Sequence, residues 1–194
     1  GLSETELLRR IGATEQAAEG LFFPDTYYFT TGSSDLAVLR RAYQTMQRHL
    51  DAAWQQRDPN TQLNSPYEAL ILASIVEKET GKASDRPMIA TVFLNRLRRG
   101  MRLQTDPTVI YGMGEQFDGN LRRRDLTADT PYNTYTRYGL PPTPIALPGL
   151  ESIRAVMQVP LGTALYFVAK GDGSSHFSGS LVEHNQAVRE FQLK

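Results

Sequence analysis

The sequence predicts an α+β fold, mainly helical, with one buried helix at its centre and a small antiparallel sheet beside it. Three observations predict it. Residues 69–76 (Ala-Leu-Ile-Leu-Ala-Ser-Ile-Val) are apolar on every face except at Ser74, as in a helix surrounded by protein. Several other stretches carry apolar residues at helical spacing along one side only. One segment, Leu165–Ala169, reads as a strong strand, and Gly171-Asp172-Gly173-Ser174 turns it back into His176-Phe177.

In chain order, Ser3-Glu4-Thr5-Glu6 has capping-box spacing and opens a short helix to about Arg10. Gly20 to Phe29 is aromatic and broken by Pro24, which suits a loop with a short strand. Ser34-Asp35 caps a helix of about Leu36 to Gln56. Its stripe of Leu36, Leu39, Ala42, Tyr43, Met46 and Leu50 makes it one-sided. Asp58-Pro59-Asn60 is a turn. The central helix then runs from Ser65, an N-cap followed by Pro66 at the first helical position, to a left-handed stop expected at Gly81. A helix of about Pro87 to Arg99 is closed by Gly100, with Arg96, Arg98 and Arg99 crowding its last turn. Met101 to Met113 shows no helical period, and Val109-Ile110-Tyr111 suits either a strand or a helical turn. Gly139 to Ile145 is irregular because its prolines forbid a ladder or helix. Helices of about Leu150 to Met157 and Leu181 to Leu193 complete the chain, the last with Val182, Val188 and Phe191 as core contacts. Five or six helices are thus expected around the central one. Val109–Tyr111 and Phe22–Phe29 are candidates to extend the sheet.

Composition excludes more than it selects. The chain has 194 residues, 40% hydrophobic and 22% charged, with zero net charge, so nothing global argues for nucleic acid as a partner. It has no Cys, which removes thiol catalysis and thiolate metal sites. No HExxH, P-loop, GxGxxG or nucleophile elbow is present, so neither a metal nor a cofactor is expected. No run approaches the ~18 apolar residues of a membrane span.

Carboxylate chemistry remains. Glu77 directly follows the apolar run, where a buried helix reaches the edge of its core. Glu79 lies two residues on and therefore points about 200° away, given ~100° per residue, so the two cannot face one substrate together. The helix dipole, worth roughly 0.3–1 kcal/mol, and a larger desolvation cost are both expected to raise the Glu77 pKa from ~4.3 towards 6, where a carboxyl can act as a general acid. An ion pair at a helix end is the plainer alternative. Glu79 reads as exposed or paired with an Arg. The aromatic stretch around Tyr27 either anchors the core or supplies a sugar-stacking wall. The polar side chains around Gln104-Thr105-Asp106 and Tyr132-Asn133-Thr134-Tyr135 are denser than a connector needs.

Residues 72–79 (Leu-Ala-Ser-Ile-Val-Glu-Lys-Glu) resemble the signature of the YceG-like (MltG) family of endolytic murein transglycosylases. Five further blocks resemble it in the same order. They are Glu19 to Tyr27, Arg102 to Gly112, Tyr132–Tyr135, Gly139–Pro142, and His176-Phe177 with Glu183–Asn185.

The resemblance implies a bacterial cell-envelope enzyme acting on peptidoglycan glycan strands, at the periplasmic face of the inner membrane in the full-length protein. It implies that residues 1–194 are a catalytic domain, without the membrane anchor and LysM-like domain that precede it in the family. Peptidoglycan synthases as partners are an expectation from the family alone, and a lysozyme-like arrangement around the central helix is an expectation by analogy. The family's catalytic glutamate maps onto Glu77. Protonated, it gives its proton to the glycosidic oxygen between N-acetylmuramic acid and N-acetylglucosamine. It then takes the proton of the muramyl C6 hydroxyl as that oxygen closes on C1, leaving a 1,6-anhydro end. Gln104, Thr105, Asn133 and Tyr135 are candidates to hold substrate polar groups, and Tyr27 and Tyr111 to form the stacking wall. Two alternatives are a muramidase using water, with Asp106, Glu115 or Asp129 as second carboxylate, and a non-catalytic glycan-binding scaffold.

Overall fold

The computed structural model describes residues 2–13, 17–158 and 162–193. Its helices are α1 (Glu4–Ile11), α2 (Asp35–Gln55), α3 (Pro66–Glu79), α4 (Arg86–Arg98), α5 (Asp106–Met113), α6 (Arg123–Thr127), α7 (Leu150–Val156) and α8 (Leu181–Phe191). Strands β1 (Tyr166–Ala169) and β2 (Ser175–Ser178) pair antiparallel, Tyr166 opposite Ser178 and Val168 opposite His176. The α+β class follows directly. Among the described residues the sheet has only these two strands, so Val109–Tyr111 and Phe22–Phe29 do not extend it. Val109–Tyr111 instead belongs to α5, which Pro107 starts at the position where a missing N–H costs nothing.

Helix α3 is the axis of the core. Every residue from Ala69 to Val76 is buried, and α2, α4, α5 and α7 pack around it. Ser65 caps it, its hydroxyl accepting from the Glu68 N–H, while the Glu68 carboxylate reaches back to the Asn64 N–H. The stop differs from expectation. Thr80 is already extended and Gly81 does not adopt a left-handed φ, so the chain leaves α3 straight after Glu79. Ser74, the one polar residue of the apolar run, donates to the Ile71 carbonyl and accepts the Ile145 N–H at 2.9 Å. That bond fixes the proline loop against the core.

Two other expectations change. Val182 is 68% exposed, and Ala187 is the buried residue of α8, because α8 leans on the hairpin rather than on the main core. Arg96 is buried on α4 rather than solvated at its end.

Gly20 joins the aromatic stretch to the proline loop. Its φ is +83°, and a Cβ there would overlap the Pro144 ring. Gly20→Ala therefore meets both a left-handed penalty and an overpacked contact, and is expected to cost about 2 kcal/mol. Urea unfolding should show a lower midpoint at unchanged slope.

Candidate active site

The end of α3 sends its two glutamates to opposite sides. Glu77 points at the start of α7. Its Oε2 accepts the Gly149 N–H at 3.0 Å and the Ser152 hydroxyl at 2.6 Å, and its Oε1 lies 3.5 Å from Arg86 Nη2. Burial alone pushes this carboxyl up. The Ser152, Gly149 and Arg86 donors outweigh it, and its pKa falls below the usual value. This reverses the expected direction. The donors that decide it arrive from residues 149 and 152, far along the chain, and they make Glu77 a clamp between α3 and α7.

Glu79 has the opposite setting. The loop 101–105 and the start of α5 fold over the end of α3, so this last-turn residue is enclosed instead of frayed. The Thr105 hydroxyl donates to its carboxylate, and Thr105 is itself buried. Desolvation pushes the Glu79 pKa up, Thr105 pulls it down, the Asp106 charge pushes it up and Arg96 pulls it down. The result is about 6.

Glu79 opens onto a cleft of about 620 Å³, within the range of small-ligand sites. Gln104, Thr105, Asp106, Tyr135, Tyr166 and His184 are among its lining residues. Arg96 belongs to the same cleft and is locked by its Nε donating to the Leu165 carbonyl at 2.7 Å and its Nη1 to the Leu103 carbonyl at 2.8 Å. The Tyr135 hydroxyl donates to Asp106 Oδ1 at 2.5 Å, and burial followed by that bond pushes its pKa upward. Gln104 has φ +51°, the one positive value among the described non-glycine residues. Its N–H donates to the Thr134 carbonyl at 3.1 Å, so the loop holds it strained with its side chain exposed beside the cleft.

Of the residues singled out for substrate contacts, Gln104, Thr105 and Tyr135 therefore gather around Glu79. The other three do not. Asn133 is fully buried; its Nδ2 donates to the carbonyls of Asp125, Leu126 and Ala128, and its Oδ1 accepts the Tyr135 N–H at 2.8 Å. It shapes the loop that carries Tyr135. The Tyr27 hydroxyl donates to the Phe23 carbonyl at 2.7 Å, beside a separate apolar groove at the start of α2. Tyr111 packs on Tyr132 with ring centroids 4.9 Å apart. Neither tyrosine lines the cleft, so the expected stacking wall is not assembled there. Of the carboxylates weighed as partners, Asp106 is in the cleft. Asp129 pairs with Arg137 at 2.8 Å and Glu115 is exposed, both outside it.

Sequence reasoning did not place Arg96 or Tyr166 in the cleft and did not foresee the enclosure of Glu79. For Arg96 a signal existed: residues 89–97 carry too many apolar neighbours for a solvated end. For Tyr166 the strand was seen, but which face meets the cleft depends on α8. Among the described residues, no group of three or more His, Asp or Glu side chains could hold a metal ion, and no helix is long and apolar enough to cross a membrane.

The YceG-like family model matches residues 2–190. A Bacillus subtilis protein named endolytic murein transglycosylase is 38% identical over 173 residues, covering 89% of this chain and 48% of its own length. A Streptococcus pneumoniae protein of the same name is 32% identical over 178 residues, covering 89% of this chain and 32% of its own. The crystal structure of a yceG-like protein from Listeria monocytogenes superposes with a TM-score of 0.74 at 38% identity, covering 86% of this chain and 54% of that one. The chain thus spans about half the length of the first relative and about a third of the second.

Proposed function

The chain belongs to the YceG-like family, and from that premise we propose that it is the catalytic part of an endolytic lytic transglycosylase acting on peptidoglycan glycan strands. The observation that carries the proposal is a single desolvated acid, Glu79, with a pKa of about 6, facing a sugar-sized cleft. A carboxyl of that pKa is protonated often enough near neutrality to give a proton and basic enough to take one back. We assign the catalytic role expected of Glu77 to Glu79 instead, because Glu77 Oε2 is engaged by the Gly149 N–H and the Ser152 hydroxyl and the carboxyl points at α7.

In this reading Glu79 protonates the glycosidic oxygen between N-acetylmuramic acid and N-acetylglucosamine as the C1–oxygen bond breaks. The carboxylate then removes the proton of the muramyl C6 hydroxyl while O6 bonds to C1. The leaving sugar keeps the first proton, Glu79 regains the second, and the strand ends in a 1,6-anhydro ring. The nucleophile is part of the substrate, so no water is required. The Asp106 charge faces the positive charge that develops at C1. Thr105 orients the Glu79 carboxyl, and Gln104 and Tyr135 offer hydrogen bonds to hydroxyl or acetamido groups.

A lysozyme-like disposition belongs to the same proposal, as analogy. It is supported by Glu79 ending a buried helix and by β1 lining the cleft. So does action in the cell envelope at the periplasmic face of the inner membrane, beside synthase partners and with an anchor elsewhere in the full-length protein; these rest on the family. A muramidase is the second reading, favoured by one observation: Asp106 is a further carboxylate in the cleft. A scaffold module is disfavoured, since glycan binding gains nothing from a desolvated acid.

Mass spectrometry of uncrosslinked glycan strands after digestion decides the chemistry. Ends lacking the elements of water are expected; reducing ends would establish the muramidase instead. The pH profile provides a second check. As general acid, Glu79 is active below its pKa, so kcat/KM should fall as pH rises through about 6. Asp106→Asn removes a charge that raises that pKa, so the falling limb should move to lower pH. An unmoved limb would show that the titrating group is not Glu79.

A further inference from the structure

We propose that Tyr166 and His184 form a subsite for an N-acetylated sugar ring, in which the His184 Nε2–H donates to the acetamido carbonyl oxygen. The inference rests on the peptidoglycan reading and adds a specificity-determining residue to it.

His184 sits in the first turns of α8, its N–H bonded to the Ser180 carbonyl at 3.0 Å. Its ring stacks on Tyr166, with centroids 5.2 Å apart and planes 23° from parallel. The Arg96 guanidinium lies 5.1 Å from the Tyr166 ring centre. Arg96 is anchored to the Leu165 carbonyl, so α4, β1 and α8 together fix the imidazole. All three side chains line the cleft onto which Glu79 opens.

The tautomer follows from burial. His184 Nδ1 is buried and has no hydrogen-bond partner. A proton on Nδ1 would be a buried N–H with no acceptor. An unpaired acceptor is the lesser defect, so the proton belongs on Nε2, the other ring nitrogen of a side chain that lines the cleft. Protonating both nitrogens would restore the orphaned N–H and add a cation facing Arg96 from α4 and His176 from β2. Burial first, then those two groups, hold the His184 pKa below its usual value. His184 is therefore held toward its neutral form, a donor fixed by its stacking on Tyr166. A fixed neutral N–H suits a neutral acceptor, and the acetamido carbonyl is the amide acceptor that both murein sugars carry.

The test uses the Glu79→Gln protein, so that nothing is cleaved, and two probes: a β-1,4-linked N-acetylglucosamine tetramer and its de-N-acetylated counterpart. His184→Ala is expected to weaken binding of the acetylated tetramer about tenfold, His184→Gln to restore part of it, and the de-N-acetylated tetramer to bind both proteins alike. Equal affinity of the acetylated tetramer for both proteins, or equal losses for both probes, would overturn the subsite. A second measurement does not depend on any His184 variant folding. Long-range proton–nitrogen NMR should show the Nε2–H tautomer, with that signal moving when the acetylated tetramer is added; the Nδ1–H tautomer would refute the proposal. Product analysis of the unsubstituted protein tests the transglycosylase reading separately, so either idea can fail alone.

Discussion

Glu79→Gln is expected to abolish strand cleavage, by about 10³-fold or more, while the protein stays folded and becomes more stable above pH 6. General acid–base catalysis by one group contributes about 10²–10⁴-fold, and in the proposed mechanism the same carboxyl serves in both steps. Gln keeps the volume and an acceptor for the Thr105 hydroxyl but has no proton to give. The stability change has the opposite sign. The folded-state pKa of about 6 lies above the ordinary 4.5. The folded protein therefore holds this proton more tightly than the unfolded chain, and stability falls as pH rises between those values. At about 1.4 kcal/mol per pH unit, the penalty levels off near 2 kcal/mol above pH 6. A neutral Gln escapes it, so the Tm gain should be largest at neutral pH and vanish below pH 4.5. Cleavage surviving in Glu79→Gln would remove this residue from the chemistry.

That gain and loss together explain why the site was only half legible in the sequence. Features written locally were readable: the Ser65 cap, the eight buried residues of α3, the hairpin at Gly171–Ser174 and the opposite directions of Glu77 and Glu79. Features set by distant chain were not. Glu77 looked like the desolvated acid because it follows the apolar run. Its environment is decided by Gly149 and Ser152, which only the folding of α7 against α3 brings near. Glu79 looked frayed because it ends a helix, yet Thr105 and Asp106 cover it once residues 101–106 fold back. Polar density marked Gln104, Thr105 and Tyr135, which line the cleft. It also marked Asn133, since composition cannot separate a side chain that binds a ligand from one that braces the loop holding it. Gln104 is an instructive local conflict: a non-glycine residue at positive φ beside the acid, the type of strain that accumulates where function overrides local preference.

The converse substitution separates the two glutamates. Glu77→Ala is expected to destabilise the fold by about 2–4 kcal/mol while the folded fraction retains its cleavage chemistry. The loss leaves the Gly149 N–H and the Ser152 hydroxyl without their acceptor. It also strips Arg86, 16% exposed at its side chain, of its counter-charge. The pH dependence runs opposite to that of Glu79. A carboxyl whose folded pKa is depressed stabilises the protein above its unfolded pKa, and that contribution disappears as pH falls through the folded value. The Tm gap between the unsubstituted protein and Glu77→Gln should therefore be widest at neutral pH and close in acid, whereas Glu79→Gln shows a gain over the same range. Thermal unfolding of both variants between pH 4 and 8, read beside their cleavage rates, resolves the assignment. Loss of cleavage in Glu77→Gln at unchanged Tm would return the acid–base role to Glu77, since losing a charge that Gly149, Ser152 and Arg86 stabilise in the fold should cost stability.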